Sequence, residues 1–386
     1  MGVYDELGVM RVINAWGTMT SLGGSLMPPE VVAAMDEAAT AFVDMEELLK
    51  QAGNFIAQRT GAEAACVTSG AAAALVLAVA ACMTGNDPGK MARIPYISGF
   101  KNEVILPLIQ DTTFSRNFAI PCAKLVKVGT EEGYELGDVE RAITENTVAI
   151  AFTFFTSRKG CDLEALRRIV EIGKRHKVPV IVDAAAELPP ISNLRDIVAT
   201  GADLVAFSGG KDIRGPNDTG FIAGRADLIE AVAAHSSPHN YMGRPMKVSK
   251  EQIVGLVTAL KLYTPEAVEA RRRKWARMAQ YFVKELTLKN VKAETVVPDP
   301  VKHEYFAQGW PQARLVLDEA KLGTTAAKLC HQLIEGNPPI YAGQSGNCLT
   351  LNPQCLQDGE EKIVAKRIKE ILKRGTVKKR LNVDEE

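Results

Sequence analysis

Residues 205–220, VAFSGGKDIRGPNDTG, decide how this chain is read. The apolar run Leu204 to Phe207 has the length of a buried strand, and it breaks at Ser208, Gly209 and Gly210 into a loop rich in Gly, Pro, Asn and Asp. Lys211 opens that loop. In open α/β sheets the ligand crevice lies just past the carboxyl ends of the strands, and two glycines let a flat ligand approach the backbone. Lys211 is therefore a candidate Schiff-base lysine. Taken by itself, the segment fits an ordinary solvated loop lysine as well.

Five further runs of the same kind surround it: Ala64 to Thr68, Leu125 to Val128, Val148 to Phe155, Val178 to Val182 and Gly220 to Ala223. They alternate with amphipathic stretches such as Leu163 to His176 and Leu194 to Thr200. Strands apolar throughout, separated by helices, indicate a mainly parallel sheet covered on both faces. The expected fold is α/β, with this sheet in a large domain over residues 45–265. Residues 1–44 read as an arm that is irregular to about residue 30, where Pro28 and Pro29 open the first of two helices running to about Thr60. A helix over Ser249 to Tyr263 and a long one from Glu266 to about Leu288 lead into a smaller α+β domain, residues 266–386. Its expected elements are strands at 313–318 and 349–353 and helices at 324–335 and 359–374.

The bulk composition narrows the function classes. In 386 residues, 46% are hydrophobic and 24% charged, which suits a globular chain rather than a disordered or fibrous one. Lys plus Arg and Asp plus Glu both number 46, so there is no overall basic footprint for nucleic acid. The run from Lys362 to Arg380 carries nine Lys or Arg and one Glu, and it reads as a charged helix face and solvated tail, as does Arg271 to Arg273. Seven cysteines without a closely spaced pair read as reduced thiols, and the start MGVYDELGV lacks a signal-peptide pattern. Ala71 to Met83 is too short to cross a bilayer. The expected location is the cytoplasm, with no membrane and no nucleic-acid partner. The histidines, at 176, 235, 239, 303 and 331, form no metal-ligand pattern.

Two more segments bear on Lys211. In CVTSGAAAALVLAV, residues 66–79, a short strand gives way through Thr68, Ser69 and Gly70 to an alanine-rich helix. Free amide hydrogens and the positive end of the dipole make such a helix start an anion site, although Ser and Thr are also the ordinary caps. In VPVIVDAAAELPP, residues 178–190, Asp183 ends an apolar strand. A carboxylate there needs a cationic or proton-donating partner, or it simply caps the next helix. An anion cup at 69, a strand-end Asp at 183 and a strand-end Lys 28 residues later together supply what pyridoxal 5'-phosphate requires.

The arrangement resembles the fold type I pyridoxal-phosphate enzymes of the aspartate aminotransferase superfamily, and within them the selenocysteine synthase-like (L-seryl-tRNA selenium transferase-like) group. The resemblance spans nearly the whole chain, through VINAWGTMTSLGGSLMPPEV, TGAEAACVTSGAAAAL, KVGTEEGYELGDVERAITENT, VIVDAAAELPP, FSGGKDIRGPNDTG and GRPMKVSKEQIVGLVTALKLY. VTSGAAA, DAAAELPP and SGGKDIRGP look most like the branch containing D-glucosaminate-6-phosphate ammonia-lyase. The resemblance implies that Lys211 carries the cofactor and moves the α-proton, that Asp183 keeps the ring nitrogen protonated, and that Ala185 lies against the ring. It assigns the phosphate to Ser69, Gly70, Ala71 and Ser208, and the other ring face to Phe100, where family members more often show histidine. Arg244 and Lys247 fall where the selenium transferases bind anions through two arginines. Arg314 joins Arg244 as a candidate for the substrate carboxylate or phosphate, because a guanidinium fork grips planar anions.

Two departures speak against selenium transfer. The arm reads SLGGS at 21–25 where the synthases carry an arginine, and the chain begins almost directly at that arm, leaving no expected segment for tRNA. The expected activity is removal of ammonia, with water, from a small β-hydroxy amino acid or amino sugar acid such as D-glucosaminate 6-phosphate, giving a 2-keto acid. A racemase, aldolase or transferase on the same cofactor is the alternative, and a non-catalytic cofactor-binding or regulatory protein is an alternative of another class. A homodimer or higher homo-oligomer is expected from the resemblance.

Overall fold

The apolar runs between residues 64 and 224 assemble into one seven-stranded sheet. The computed structural model describes residues 2–154, 160–297 and 310–381, with side chains to 373. In chain order its strands are β1 (Ile13–Ala15), β2 (Ala64–Thr68), β3 (Glu103–Pro107), β4 (Lys124–Val128), β5 (Thr147–Thr153) and β6 (Val180–Asp183). They continue with β7 (Leu204–Ser208), β8 (Gly220–Gly224), β9 (Val291–Val296), β10 (Gln312–Leu317), β11 (Ile340–Ser345) and β12 (Cys348–Leu351). Phe155, His303 and the side chains of Arg374 to Arg380 lie outside the described residues.

The large sheet has the order β2-β8-β7-β6-β5-β3-β4. From β4 to β7 every pairing is parallel, and β8 runs against both β7 and β2. One edge of the sheet therefore collects the carboxyl ends of β2, β3, β4, β5, β6 and β7. Helix Gly70–Thr84 is buried almost all round and packs on β7 and β8, which is why it carries alanine, valine and leucine with no charge on any face. Helix Leu163–His176 is one-sided. Leu166, Ile169, Val170 and Ile172 are buried, Asp162 caps its start by accepting the Ala165 N–H at 2.9 Å, and Lys177 ends it in the left-handed region at φ 56°.

Some expectations change. β3 is absent from the expected runs although it lies between β5 and β4, because five residues ending on Pro107 give too short a pattern to separate from a loop. The stretch Leu194 to Thr200 is two short pieces, helix Asn193–Asp196 and a 3-10 turn at Val198–Thr200. Leu163–His176 is the helix expected, and Ser249 caps Lys250–Leu262 through Gln252.

The described residues divide into two compact units, one of residues 26–154 and 160–265, the other of 2–25, 266–297 and 310–381. The second holds a sheet of order β1-β11-β12-β10-β9. Only β10 and β12 were expected there. β1 comes from the irregular-looking arm: three residues, Ile13, Asn14 and Ala15, pair in parallel with β11, too few to show an alternating pattern in sequence. No helix among the described residues is long and apolar enough to cross a membrane.

His235 ends helix Ala226–His235 fully buried, its Nε2 2.8 Å from Thr84 Oγ1 and its ring edge-on to Tyr241. Burial lowers its pKa from 6.5 to about 4. A folded-state pKa below the unfolded one means the neutral ring favours folding, so that stability is present above pH 6.5 and is lost as pH falls through about 4. The loss is at most about 3 kcal/mol, at 1.36 kcal/mol per pKa unit. Melting temperatures of the wild type should fall more steeply between neutral and acidic pH than those of His235→Gln; equal slopes would remove His235 from the account.

Candidate active site

Three separate segments meet at the carboxyl edge of the large sheet. β6 and β7 are parallel neighbours with Asp183 opposite Ala206, so Asp183 and the loop after Ser208 leave the sheet side by side. That loop is folded tightly on itself. The Gly209 N–H donates to Thr219 O at 2.8 Å, the Gly215 N–H to Gly209 O at 2.9 Å and the Arg214 N–H to Lys211 O at 3.1 Å. A Cβ on Gly210 would stand 2.4 Å from Asn217 Cα, so only glycine lets the chain turn here and present Lys211.

Lys211 is half-buried. Burial lowers its pKa from the ordinary 10.5, and the carboxylates of Asp183 and Glu187 oppose that shift. Burial raises the pKa of Asp183, against the Ala185 N–H that donates to Oδ1 at 3.0 Å and against Lys211. Asp212 is buried next to Lys211 in the chain, and its Oδ2 accepts the Tyr263 hydroxyl at 2.8 Å. Arg59 fixes Tyr263 in turn, Nη2 donating to its carbonyl at 2.7 Å. Tyr263→Phe should cost about 1.5–3 kcal/mol, the range for a hydrogen bond to a charged group. Urea unfolding would read it, and a variant as stable as the wild type would show that Asp212 does not depend on this hydroxyl.

The anion cup lies on the same edge. Gly220 pairs with Thr68 in β2 and with Ser208 in β7, so the start of helix Gly70–Thr84 stands beside Ser208. A Cβ on Gly220 would lie 2.6 Å from Gly70 C and 2.7 Å from Ala71 N. Gly70 sits at φ +83°, with open space where its own Cβ would be. The Ser69 hydroxyl makes no capping bond to the helix. Ser69, Gly70, Ala71 and Ser208 thus surround one small space at a helix start, where a phosphate is favoured.

Not every expected residue joins them. Phe100 precedes β3, whose Glu103 pairs with Thr147 at the start of β5, whereas Asp183 pairs with Thr153 at the end of β5. Phe100 is therefore at the opposite edge, roughly 20 Å away at about 3.3 Å per residue, packed on the core with the Arg93 guanidinium 4.6 Å from its ring centroid. Direction within a parallel sheet decides this, and without β3 it could not be seen. Arg244 and Lys247 are exposed on the loop after His235, where the Gly243 N–H donates to His235 O at 2.8 Å and a Cβ on Gly243 would stand 2.8 Å from Leu77 Cδ2, midway along helix Gly70–Thr84; the Arg244 Nε donates to Asn240 Oδ1 at 3.2 Å. Arg314 belongs to the other unit, and both its Nε, at 2.9 Å, and its Nη2 donate to Glu294 Oε1 across β9 and β10.

Two residues at this edge escape a reading of the sequence. Gln110 follows β3 fully buried; its Oε1 accepts the Thr153 N–H at 2.9 Å, beside Asp183, and its Nε2 donates to Gly160 O at 3.4 Å. The apolar run EVIL at 103–106 is the signal that could have led to it. Glu187 lies within DAAAELPP but has no local signature. Among the described residues no three His, Cys, Asp or Glu gather to hold a metal.

Residues 31–303 match the Aminotransferase class-V family. The chain belongs to that family. It is 36% identical over 390 residues to a 5'-C-glycyluridine monooxygenase-decarboxylase of a Streptomyces species, covering 96% of this chain and 92% of that one. It is 31% identical over 378 residues to D-glucosaminate-6-phosphate ammonia lyase of Salmonella typhimurium, covering 96% and 97%. A solved structure of D-glucosaminate-6-phosphate ammonia-lyase superposes with TM-score 0.81 at 30% identity, covering 97% of this chain and 99% of that one. The fold is that of the fold type I pyridoxal-phosphate enzymes, and pyridoxal 5'-phosphate is the cofactor of this class V aminotransferase relative.

The site's own residues fit such a group. Lys211 lies within electrostatic reach of two carboxylates, Asp183 and Glu187, and burial makes the charged form of Asp183 costly without a cationic partner. A protonated ring nitrogen would be such a partner. At the other end, the space in front of Gly70 and the helix start take a dianion.

Proposed function

We propose that this class V aminotransferase relative is a pyridoxal-phosphate-dependent lyase that expels as water the β-hydroxyl of a small β-hydroxy amino acid or amino sugar acid of the D-glucosaminate 6-phosphate kind. Hydrolysis of the released enamine then takes up one water, frees ammonia and leaves a 2-keto acid. One observation carries the proposal: a half-buried lysine and a half-buried aspartate leave neighbouring strand ends next to an anion cup. Bound there, the cofactor supplies an aldehyde that condenses with amines and a ring that draws electrons from bonds at the substrate α-carbon. Ser69, Gly70, Ala71 and Ser208 would hold its phosphate, Asp183 would meet the charge of a protonated ring nitrogen, and Ala185 would lie against the ring.

Lys211 then acts as the base at the α-carbon. Its burial lowers its pKa, which raises the fraction of neutral amine near pH 7, and the same amine returns the proton later. Holding the substrate in a site walled by protein keeps water from competing for that proton. Arg244 and Lys247, exposed on the loop after His235, meet the substrate anion of a neighbouring subunit in a homodimer or higher homo-oligomer. A cytoplasmic location accompanies this reading, in keeping with seven free cysteines.

The relative at 36% identity favours a second reading, oxidative decarboxylation of a glycine-like substrate with dioxygen. Purified protein loaded with cofactor should release ammonia and a 2-keto acid from D-glucosaminate 6-phosphate equally well with and without oxygen. Oxygen uptake with carbon dioxide release, and no keto acid, would favour the second reading. Inversion of an amino acid with no release of ammonia would favour a racemase.

A further inference from the structure

The proposed function uses one of the two carboxylates around Lys211 and leaves the other without a task. Glu187 is 5% exposed. It stands on a firm turn leaving β6: the Ala184 N–H donates to Ala206 O in β7 at 2.9 Å, the Ala185 N–H to Asp183, and the Glu187 N–H to Ala184 O at 3.2 Å. The Asn193 side chain then donates to Glu187 O at 2.7 Å. The turn therefore follows the end of β7, from which Lys211 leaves the sheet. Leu188 and Pro189, the next two residues, are buried as well, so an apolar side chain at 187 would avoid the cost of a buried charge. A carboxylate is kept there all the same, within electrostatic reach of the Lys211 amine.

We propose that Glu187 is a positioning residue that holds the Lys211 side chain as an ammonium once it has accepted a proton. The inference rests on the reading of Lys211 as the proton carrier. Under that reading Asp183 is engaged by the ring nitrogen, and Glu187 is the carboxylate left to the amine. Among the described residues, other ionisable groups around Lys211 include Asp183 from β6, Asp212, whose carboxylate takes the Tyr263 hydroxyl at the end of helix Lys250–Leu262, and Arg214 on the same loop, whose Nε donates to Leu26 O at 2.8 Å. Glu187 holds the proton at Nζ between its removal from one substrate atom and its delivery to another. Protons move only between Lys211 and substrate, so no further reactant is needed.

The full-length chain, freed of cofactor and checked for folding by circular dichroism, is labelled with acetic anhydride over a pH series. Modification of Lys211 is followed by mass spectrometry. Glu187→Gln should lower the pH midpoint of Lys211 labelling by about one unit or more, the scale for loss of a neighbouring opposite charge. Glu187→Asp, which draws the charge back by one methylene, should lower it by a smaller amount and decides the matter alone if the Gln variant does not fold. In the loaded enzyme the acidic limb of kcat should move the same way. Midpoints unmoved in both variants, even with lowered melting temperatures, would assign Glu187 a structural role and overturn the proposal. Failure of Lys211 to attach the cofactor would instead overturn the proposed function, and reductive trapping tells the two failures apart.

Discussion

Lys211→Ala should reduce turnover by about 10⁴-fold or more, at or beyond the upper end for one positioned acid–base group, because the variant loses both the covalent anchor and the base. Two features set the size of this effect. The side chain is half-buried, and the loop that presents it is held by the Gly209–Thr219 and Gly215–Gly209 bonds, which fix this amine at the strand ends. Both Lys247 and Arg244 sit exposed on a different loop, the one after His235. A small exogenous amine should restore part of the rate, since the cup and Asp183 are untouched. Steady-state kinetics check it, and a variant turning over at the wild-type rate would remove Lys211 from the chemistry.

Asp183→Asn should lower kcat by roughly 10²–10³-fold, the cost of losing one preorganised electrostatic group, with a much smaller change in KM. The asparagine can still accept the Ala185 N–H, so the turn survives while the negative charge is gone. Only the charge is tested. Burial makes ionisation of Asp183 costly, and Lys211 and the Ala185 N–H offset part of that cost. A protonated ring nitrogen offsets the rest in the loaded enzyme. Kinetics over a pH series check this, and an Asn variant with wild-type kcat would show that the ring nitrogen needs no counter-charge from Asp183.

Much of this site is legible in sequence because its parts are continuous segments, each ending a strand. Ser69 to Ala71, Asp183 and Lys211 are all marked by an apolar run and the turn chemistry after it, and a parallel sheet brings such ends to one edge. What fails to show depends on direction or on partners distant in the chain. Phe100 is misplaced because β3, ending on a proline, hides the strand that sets which edge it occupies. Arg314 looks available in sequence, whereas Glu294, 20 residues away on the neighbouring strand, occupies its guanidinium. Gln110 is a neutral amide whose value lies in reaching Thr153 N, 43 residues on. The strands β1, β9 and β11 of the second unit lack a continuous apolar pattern, and their pairing spans the chain from Ile13 to Ile340.

The most direct test of the link between Lys211 and the cofactor is reduction of the purified loaded protein with borohydride, followed by digestion and peptide mass mapping. The mass of the reduced cofactor is expected on the peptide containing Lys211, at that residue and in amount close to the protein. The same mass on any other lysine, with Lys211 unmodified, would contradict the account.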